Sequence, residues 1–277
     1  MKQIQESNQS QNNFGDQEMS TSPLCEQVNG YGKTSYTYVS GSNRKLRKVF
    51  YHSRSGRAIL EGDIDLGSIE EVEAARVAVE DKQGDLGILG IVISTTGRRW
   101  PEKKIYYTID AGLNETSRVT DAIKHWEEKT EIRFFVRTSE RNYITFKSGT
   151  GCSSKVGMTG GQQFIELGNE CSTGNVKHEI GHAVGLWHEH SREDRDNSIE
   201  IKWDNIEESQ KHNFNQHISD GTDVGKYDFG SIMHYPANAF AKDNTKPTIV
   251  TKPSGKLIGQ RDALSAGDIA TVKSIYP

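Results

Sequence analysis

Four of the nine histidines in the chain fall within one stretch, "HEIGHAVGLWHEHSREDRD", residues 178–196. His178 and His182 are four residues apart, so on a helix their imidazoles share one face and can reach a single cation. Zinc takes such nitrogens at roughly 2.0–2.1 Å. Glu179 sits beside them, aimed at the water a catalytic zinc activates rather than at the metal. H-E-x-x-H therefore supplies two ligands and a general base for hydrolysis. A buried helix with two hydrogen-bonded core histidines would carry the same five letters. The next residues separate the two readings. Gly185 tolerates a left-handed turn that ends the helix, and the returning chain delivers His188 as a third ligand.

The whole string fits the metzincin pattern H-E-x-x-H-x-x-G-x-x-H. Its continuation resembles the signature of the astacin family, H-E-x-x-H-x-x-G-x-x-H-E-x-x-R-x-D-R-D. All fixed positions are present: His178, Glu179, His182, Gly185, His188, Glu189, Arg192, Asp194, Arg195 and Asp196. "SIMHY" at 231–235 resembles that family's Met-turn, with Met233 as an apolar floor beneath the imidazoles, and "RRWP" at 98–101 resembles the start of its first strand.

The resemblance implies an α+β metzincin fold: a twisted mixed sheet with long helices and an irregular C-terminal lobe, preceded by a proregion. It implies a zinc endopeptidase with one zinc per chain, cutting internal bonds of protein and peptide substrates. Glu179 would be the base. Tyr235 would be a labile extra zinc ligand in the resting mature enzyme, able to swing away and hydrogen-bond the oxyanion. Glu189 would meet the freed N-terminus of the mature enzyme. Cys152 and Cys171 match one family disulfide. The second family disulfide has no cysteines here, so "LSAGDIATVKSIYP" (264–277) is expected to be held by packing alone. His190 lies outside the ligand positions, as a surface residue or one behind the ligands, and His234 is expected to pack or hydrogen-bond.

Positioning these residues requires a scaffold. "KKIYYTID", "IRFFVRT", "NYITFKS" and "GGQQFIELG" read as strands, and "NETSRVTDAIKHWEEKT" as a helix with Val119, Ile123 and Trp126 on one side. That order predicts a mixed sheet backed by a helix. "QQFIEL" is expected to offer an exposed edge to an extended substrate, or else to be a buried strand. Past residue 197 the chain reads as irregular, with helices near 203–217 and 265–275.

Bulk composition bounds the alternatives. With 277 residues, a formal charge of −4 and 33% hydrophobic residues, nothing suggests nucleic acid, and no apolar run is long enough to span a bilayer. No secretory signal is read in the chain as given, but export is the expectation. The three cysteines include at most one internal pair. Cys152 and Cys171 are either a disulfide, suited to an oxidising compartment, or two thiols. A zinc protein without catalysis and a peptide-binding module are the rival classes, and loss of proteolysis on Glu179→Gln separates the enzyme from both.

The chain divides into residues 1–97, a disordered tail (1–22) with an inhibitory proregion, and residues 98–277, the catalytic domain. Within 31–69 short strands are expected, followed by a helix in "SIEEVEAARVAVEDKQG" capped by Ser68 with Glu71 three residues on. The proregion would act as an intramolecular inhibitor until self-cleavage or another protease cuts within "GDLGILGIVISTTGRR" (84–99). Two residues compete to block the zinc. Asp63, in "LEGDIDL" (60–66), corresponds to the family's proregion aspartate, with Leu60 in place of an aromatic and Gly62 allowing close approach. Cys25, in "TSPLCEQ", is unpaired and offers a softer ligand, so the sequence reading prefers it slightly.

Overall fold

A computed structural model of the chain describes residues 32–40, 46–81, 91–92, 98–217 and 221–277. Cys25 and the tail 1–22 lie outside the described residues. The strands are β1 (Thr34–Ser40), β2 (Leu46–Arg54), β3 (Arg57–Leu60), β4 (Ile64–Ser68), β5 (Ile91–Val92), β6 (Lys104–Ile109), β7 (Arg133–Val136), β8 (Tyr143–Ser148), β9 (Ser153–Ser154), β10 (Gln162–Leu167), β11 (Ile199–Ile201) and β12 (Ile249–Thr251). The helices are α1 (Ile69–Glu80), α2 (Ser117–Lys129), α3 (Thr173–Val184) and α4 (Ala266–Ile275).

Local sequence explains the helices. Ser68 and Glu71 form the expected capping box on α1: Glu71 N donates to Ser68 Oγ at 3.2 Å and Ser68 N to Glu71 Oε2 at 2.9 Å. Helix α2 turns Val119, Ile123 and Trp126 into the main core, where they join Ile105, Ile144 and Ile165 from the sheet and Ile180 from α3. Each buried aliphatic side chain of this kind contributes about 1.5–3 kcal/mol. Helix α3 starts at a Ser172–Asn175 capping box and stops at Gly185, whose φ of +119° a side chain would strain. Between 203 and 217 there is no α-helix. Two 3-10 turns, Trp203–Asn205 and Glu208–Phe214, replace the expected one.

Ten strands form one mixed sheet in the order β5-β1-β2-β3-β4-β9-β10-β8-β6-β7. The N-terminal strands thus continue the sheet of the 98–277 segment. The junction is narrow: β4 pairs in parallel with β9 at Ile64 and Ser154, and Ser154 N donates to the Asp63 carbonyl at 3.0 Å. Buried Arg54 strengthens it, donating to the carbonyls of Gly62 (3.0 Å) and Cys152 (2.9 Å). A second apolar cluster, including Tyr51, Leu60, Ile64 and Val72, also takes in Val156 and the flank of Trp187.

This order corrects the expectation for "QQFIEL". Strand β10 lies between β8 and β9, and β9 pairs with it at Ile165 and Glu166, so that part of it is interior. The strands of the 98–277 segment run from β9 to β7, and β4 pairs with the β9 edge at Ile64 and Ser154. Alternating residues identify a strand but not its neighbours, and two serines carry no alternation at all.

Cys152 and Cys171 are joined by a disulfide across 19 positions, a loop whose closure stabilises by about 3 kcal/mol. The C-terminal segment is held by more than packing, contrary to expectation. Tyr276 is buried, donates its hydroxyl to the Val184 carbonyl (2.9 Å) and accepts from Trp100 N (3.3 Å). Asp268 accepts from Ser231 Oγ (2.6 Å) and Ile232 N (2.9 Å), tying α4 directly to the segment that carries Met233.

Candidate active site

Helix α3 and the turn after it bring three fully buried imidazoles together. His178 Nδ1 donates to the Ile232 carbonyl at 2.8 Å, His182 Nδ1 to the Leu186 carbonyl at 2.8 Å, and His188 Nδ1 to Glu61 Oε2 at 2.8 Å. With every Nδ1–H committed, each ring in its neutral form presents a lone pair at Nε2. Those nitrogens converge on Asp63. Its Oδ2 lies 3.1 Å from His178 Nε2 and 3.2 Å from His188 Nε2, and its Oδ1 lies 3.5 Å from His182 Nε2.

These four residues offer ligand atoms all within 4.8 Å of one another. His182 Nε2 and Asp63 Oδ1 are buried with no hydrogen-bond partner. Three lone pairs and a carboxylate cannot satisfy each other, so the donor set calls for a cation, and imidazoles with a carboxylate suit zinc. The electrostatics agree. Burial raises the Asp63 carboxyl, but His188 and His182 overcome this and hold it well below the usual carboxylate range. Burial, helped by the charge of Arg261, lowers His178 to about 4 and keeps it neutral. Burial also opposes charge on His188, but Asp63 and Glu61 push it up to about 9, marking the point where positive charge is favoured.

Around this centre, Glu179 is fully buried next to His178 on α3. Met233 lies against Gly181, between the first two histidines. A Cβ on Gly181 would come within 2.6 Å of Met233 Sδ, so a side chain there would displace Met233. Tyr235 is buried, with its ring centroid 4.7 Å from that of His188. Its hydroxyl donates to the Glu61 carbonyl. His190 is not a surface residue: it is fully buried, stacks on Tyr235 at 3.8 Å and donates from Nε2 to the Asn213 carbonyl at 3.0 Å. His234 pairs its Nε2 with the Tyr227 hydroxyl at 2.7 Å, a hydrogen-bonding place as expected.

Glu189 accepts from Asp228 N at 2.8 Å, and its carboxyl is pushed up to about 8, mainly by burial. It lines a cavity of about 270 Å³ shared with Arg99, Ser231, Asp268 and Ile275. Asp63 thus lies among the three imidazoles, whereas Cys25 is outside the described residues. Sequence reasoning missed Glu61 and His217. Glu61 stands two residues before Asp63 in an acidic turn, and only its positive φ of 49° and its contacts in the folded chain set it apart.

The family model described as Astacin, a peptidase family, matches residues 92–277. The chain belongs to the astacin family. It carries that family's zinc metalloendopeptidase domain, and the three-histidine site can hold the one zinc ion on which the family depends. Blastula protease 10 of Paracentrotus lividus is 40% identical over 258 residues, 88% of this chain and 43% of that protein. Tolloid-like protein 2 of Mus musculus is 41% identical over 194 residues, 66% of this chain and 19% of its own length. The chain therefore spans less than half of each of these curated relatives. Among solved structures, High choriolytic enzyme 1, a hatching enzyme zinc-protease from Oryzias latipes, aligns with a TM-score of 0.60 and 34% identity, covering 64% of this chain and 92% of that one. The expected α+β fold of this family, with its mixed sheet, is the one observed.

A pH effect follows from a histidine pair between the N-terminal strands and the segment after the site. His52 on β2 and His212 have ring centroids 4.8 Å apart. Burial lowers both, and the charge of His52 helps bring His212 to about 4. The packed pair therefore binds protons less readily than separated histidines, which titrate near about 6.5. The packing energy is fully present above that value and is lost as pH falls through the depressed values. Hydrogen-exchange protection of β1–β4, corrected for the intrinsic pH dependence of amide exchange, should be steady from pH 8 to 7 and fall between about 6.5 and 4. His212→Gln should flatten that dependence, and an equally steep profile in the variant would refute the assignment.

Proposed function

We propose that residues 98–277 are a zinc endopeptidase acting on extended protein and peptide substrates, and that the preceding residues are a removable proregion that keeps it silent. The observation that carries this reading is the Asp63 carboxylate amid the three imidazole nitrogens. Asp63 would take the position needed by the attacking water, so the reading assigns the block to Asp63 rather than to Cys25. Donor softness favoured sulfur, but the turn that carries Asp63 is fixed by the β4–β9 pairing and by Arg54.

Zinc, when held by His178, His182 and His188, supplies a Lewis acid and a water of lowered pKa. Glu179 would take a proton from the water that adds to the scissile carbonyl and give it to the amine that leaves as the C–N bond breaks. Tyr235, released from the Glu61 carbonyl, donates to the oxyanion. With β4 gone, β9 becomes a free edge onto which an extended substrate can add as a strand. Glu189 gains a partner when the cut chain end, an ammonium, enters its cavity, because opposite charge relieves a buried carboxyl. The Cys152–Cys171 disulfide supports a secreted protein.

The uncut chain should be inactive on casein, and activity should appear together with a new N-terminus within 84–99. Most of that stretch lies outside the described residues. N-terminal sequencing during activation tests this, and a fully active species still beginning near Met1 would overturn it.

A further inference from the structure

His188 differs from the other two histidines in what its outer nitrogen meets. Nδ1 of His178 and of His182 donate to main-chain carbonyls of the 98–277 segment, whereas Nδ1 of His188 donates to a carboxylate from the N-terminal region. That residue, Glu61, is itself held from several sides. Its Oε1 accepts from His217 Nε2, and Arg47 donates to His217 Nδ1 at 2.7 Å and to the Gln216 carbonyl at 2.9 Å. Trp187 packs on the His217 ring at 4.1 Å. The Glu61 carbonyl accepts the Tyr235 hydroxyl. One buried residue of the N-terminal region therefore holds the third imidazole, the oxyanion tyrosine and His217 at once.

We propose that Glu61 is a positioning residue for the metal site and that, through His188, it makes the uncut chain hold zinc more tightly than the processed enzyme does. The inference rests on the proposed removal of the region before residue 98. A carboxylate behind a ligating imidazole fixes the tautomer with the lone pair at Nε2 and makes that nitrogen a better donor than a carbonyl partner would. Losing such a partner typically weakens metal affinity by about 10–100-fold. Cutting and release would remove this support together with Asp63. The contribution of Glu61 is separable, because its carboxylate acts on Nδ1 and Asp63 acts on the Nε2 side. Zinc would then be loaded before cutting, and the step that opens the water position would also relax His188 and free Tyr235.

The test measures zinc dissociation constants by chelator competition on the uncut chain, in a Glu179→Gln background that prevents self-cleavage. Glu61→Gln should weaken zinc binding by about 10–100-fold with unchanged circular dichroism. Glu61→Asp, which keeps the charge but shortens the reach by one methylene, should also weaken it, and provides a second test if the first variant fails to fold. Nitrogen-15 histidine spectra should show a strongly hydrogen-bonded His188 Nδ1–H in the parent and its loss in Glu61→Gln. Folded variants that bind zinc as tightly as the parent would overturn the proposal. So would a cut and purified enzyme that binds zinc as tightly as the uncut chain. A chain that is fully active uncut would instead defeat the proregion reading, and the comparison of uncut variants would still decide the role of Glu61.

Discussion

Glu179→Gln in the processed enzyme is expected to lower kcat/KM on a peptide substrate by about 10²–10⁴-fold, the range of a lost general acid–base group. The substitution keeps side-chain size at a fully buried position, so packing should survive. It removes the capacity to take a proton from water and return it to the amine. Zinc content should stay near one per chain, because the ligand set is His178, His182 and His188. His182→Ala should instead lose metal and activity together. A Glu179→Gln enzyme within tenfold of the parent would remove Glu179 from the chemistry, and a parent that cuts fully after exhaustive chelation would remove zinc from it.

Asp63→Ala in the uncut chain should raise activity toward a short chromogenic peptide by about 100-fold, the change expected when an equilibrium held near 99:1 toward the blocked state is released. The deleted carboxylate is the only group of the described N-terminal residues placed against all three Nε2 atoms. The bond from Ser154 N to the Asp63 carbonyl belongs to the main chain and survives. Strand β4 would then still cover β9, so the gain should be smaller for a long substrate that needs that edge. Cys25→Ala should leave latency unchanged. If Cys25→Ala releases activity and Asp63→Ala does not, the block belongs to sulfur.

The features that could be read from the sequence are those fixed by neighbours along the chain. His178 and His182 share a face because a helix repeats every 3.6 residues or so. Gly185 ends that helix because the turn needs a positive φ. Ser68 and Glu71 cap α1 because the two groups are one turn apart. Each of these contacts closes within a few residues, so residue type and spacing determine it.

The remaining features depend on pairings that spacing does not encode. Asp63 meets His178 across 115 positions and Glu61 meets His217 across 156. Spacing within "LEGDIDL" does not distinguish a carboxylate beside a metal site from one in a solvated turn, and only the family resemblance made Asp63 a candidate. The softness of sulfur made Cys25 the preferred donor from sequence, whereas the fold delivers an aspartate. "QQFIEL" alternates like an edge strand and becomes interior at Ile165 and Glu166 because β9, two serines without an apolar signal, pairs there. His190 reads as polar and is buried because Tyr235, 45 positions on, supplies a ring to stack against. The zinc ligands, the base and the helix that carries them follow from residue order, since all lie within one helix and its turn. Which strand forms the edge, what covers it and which carboxylates reach the imidazoles are settled in three dimensions, because those contacts depend on loop closure and strand order over a hundred residues or so.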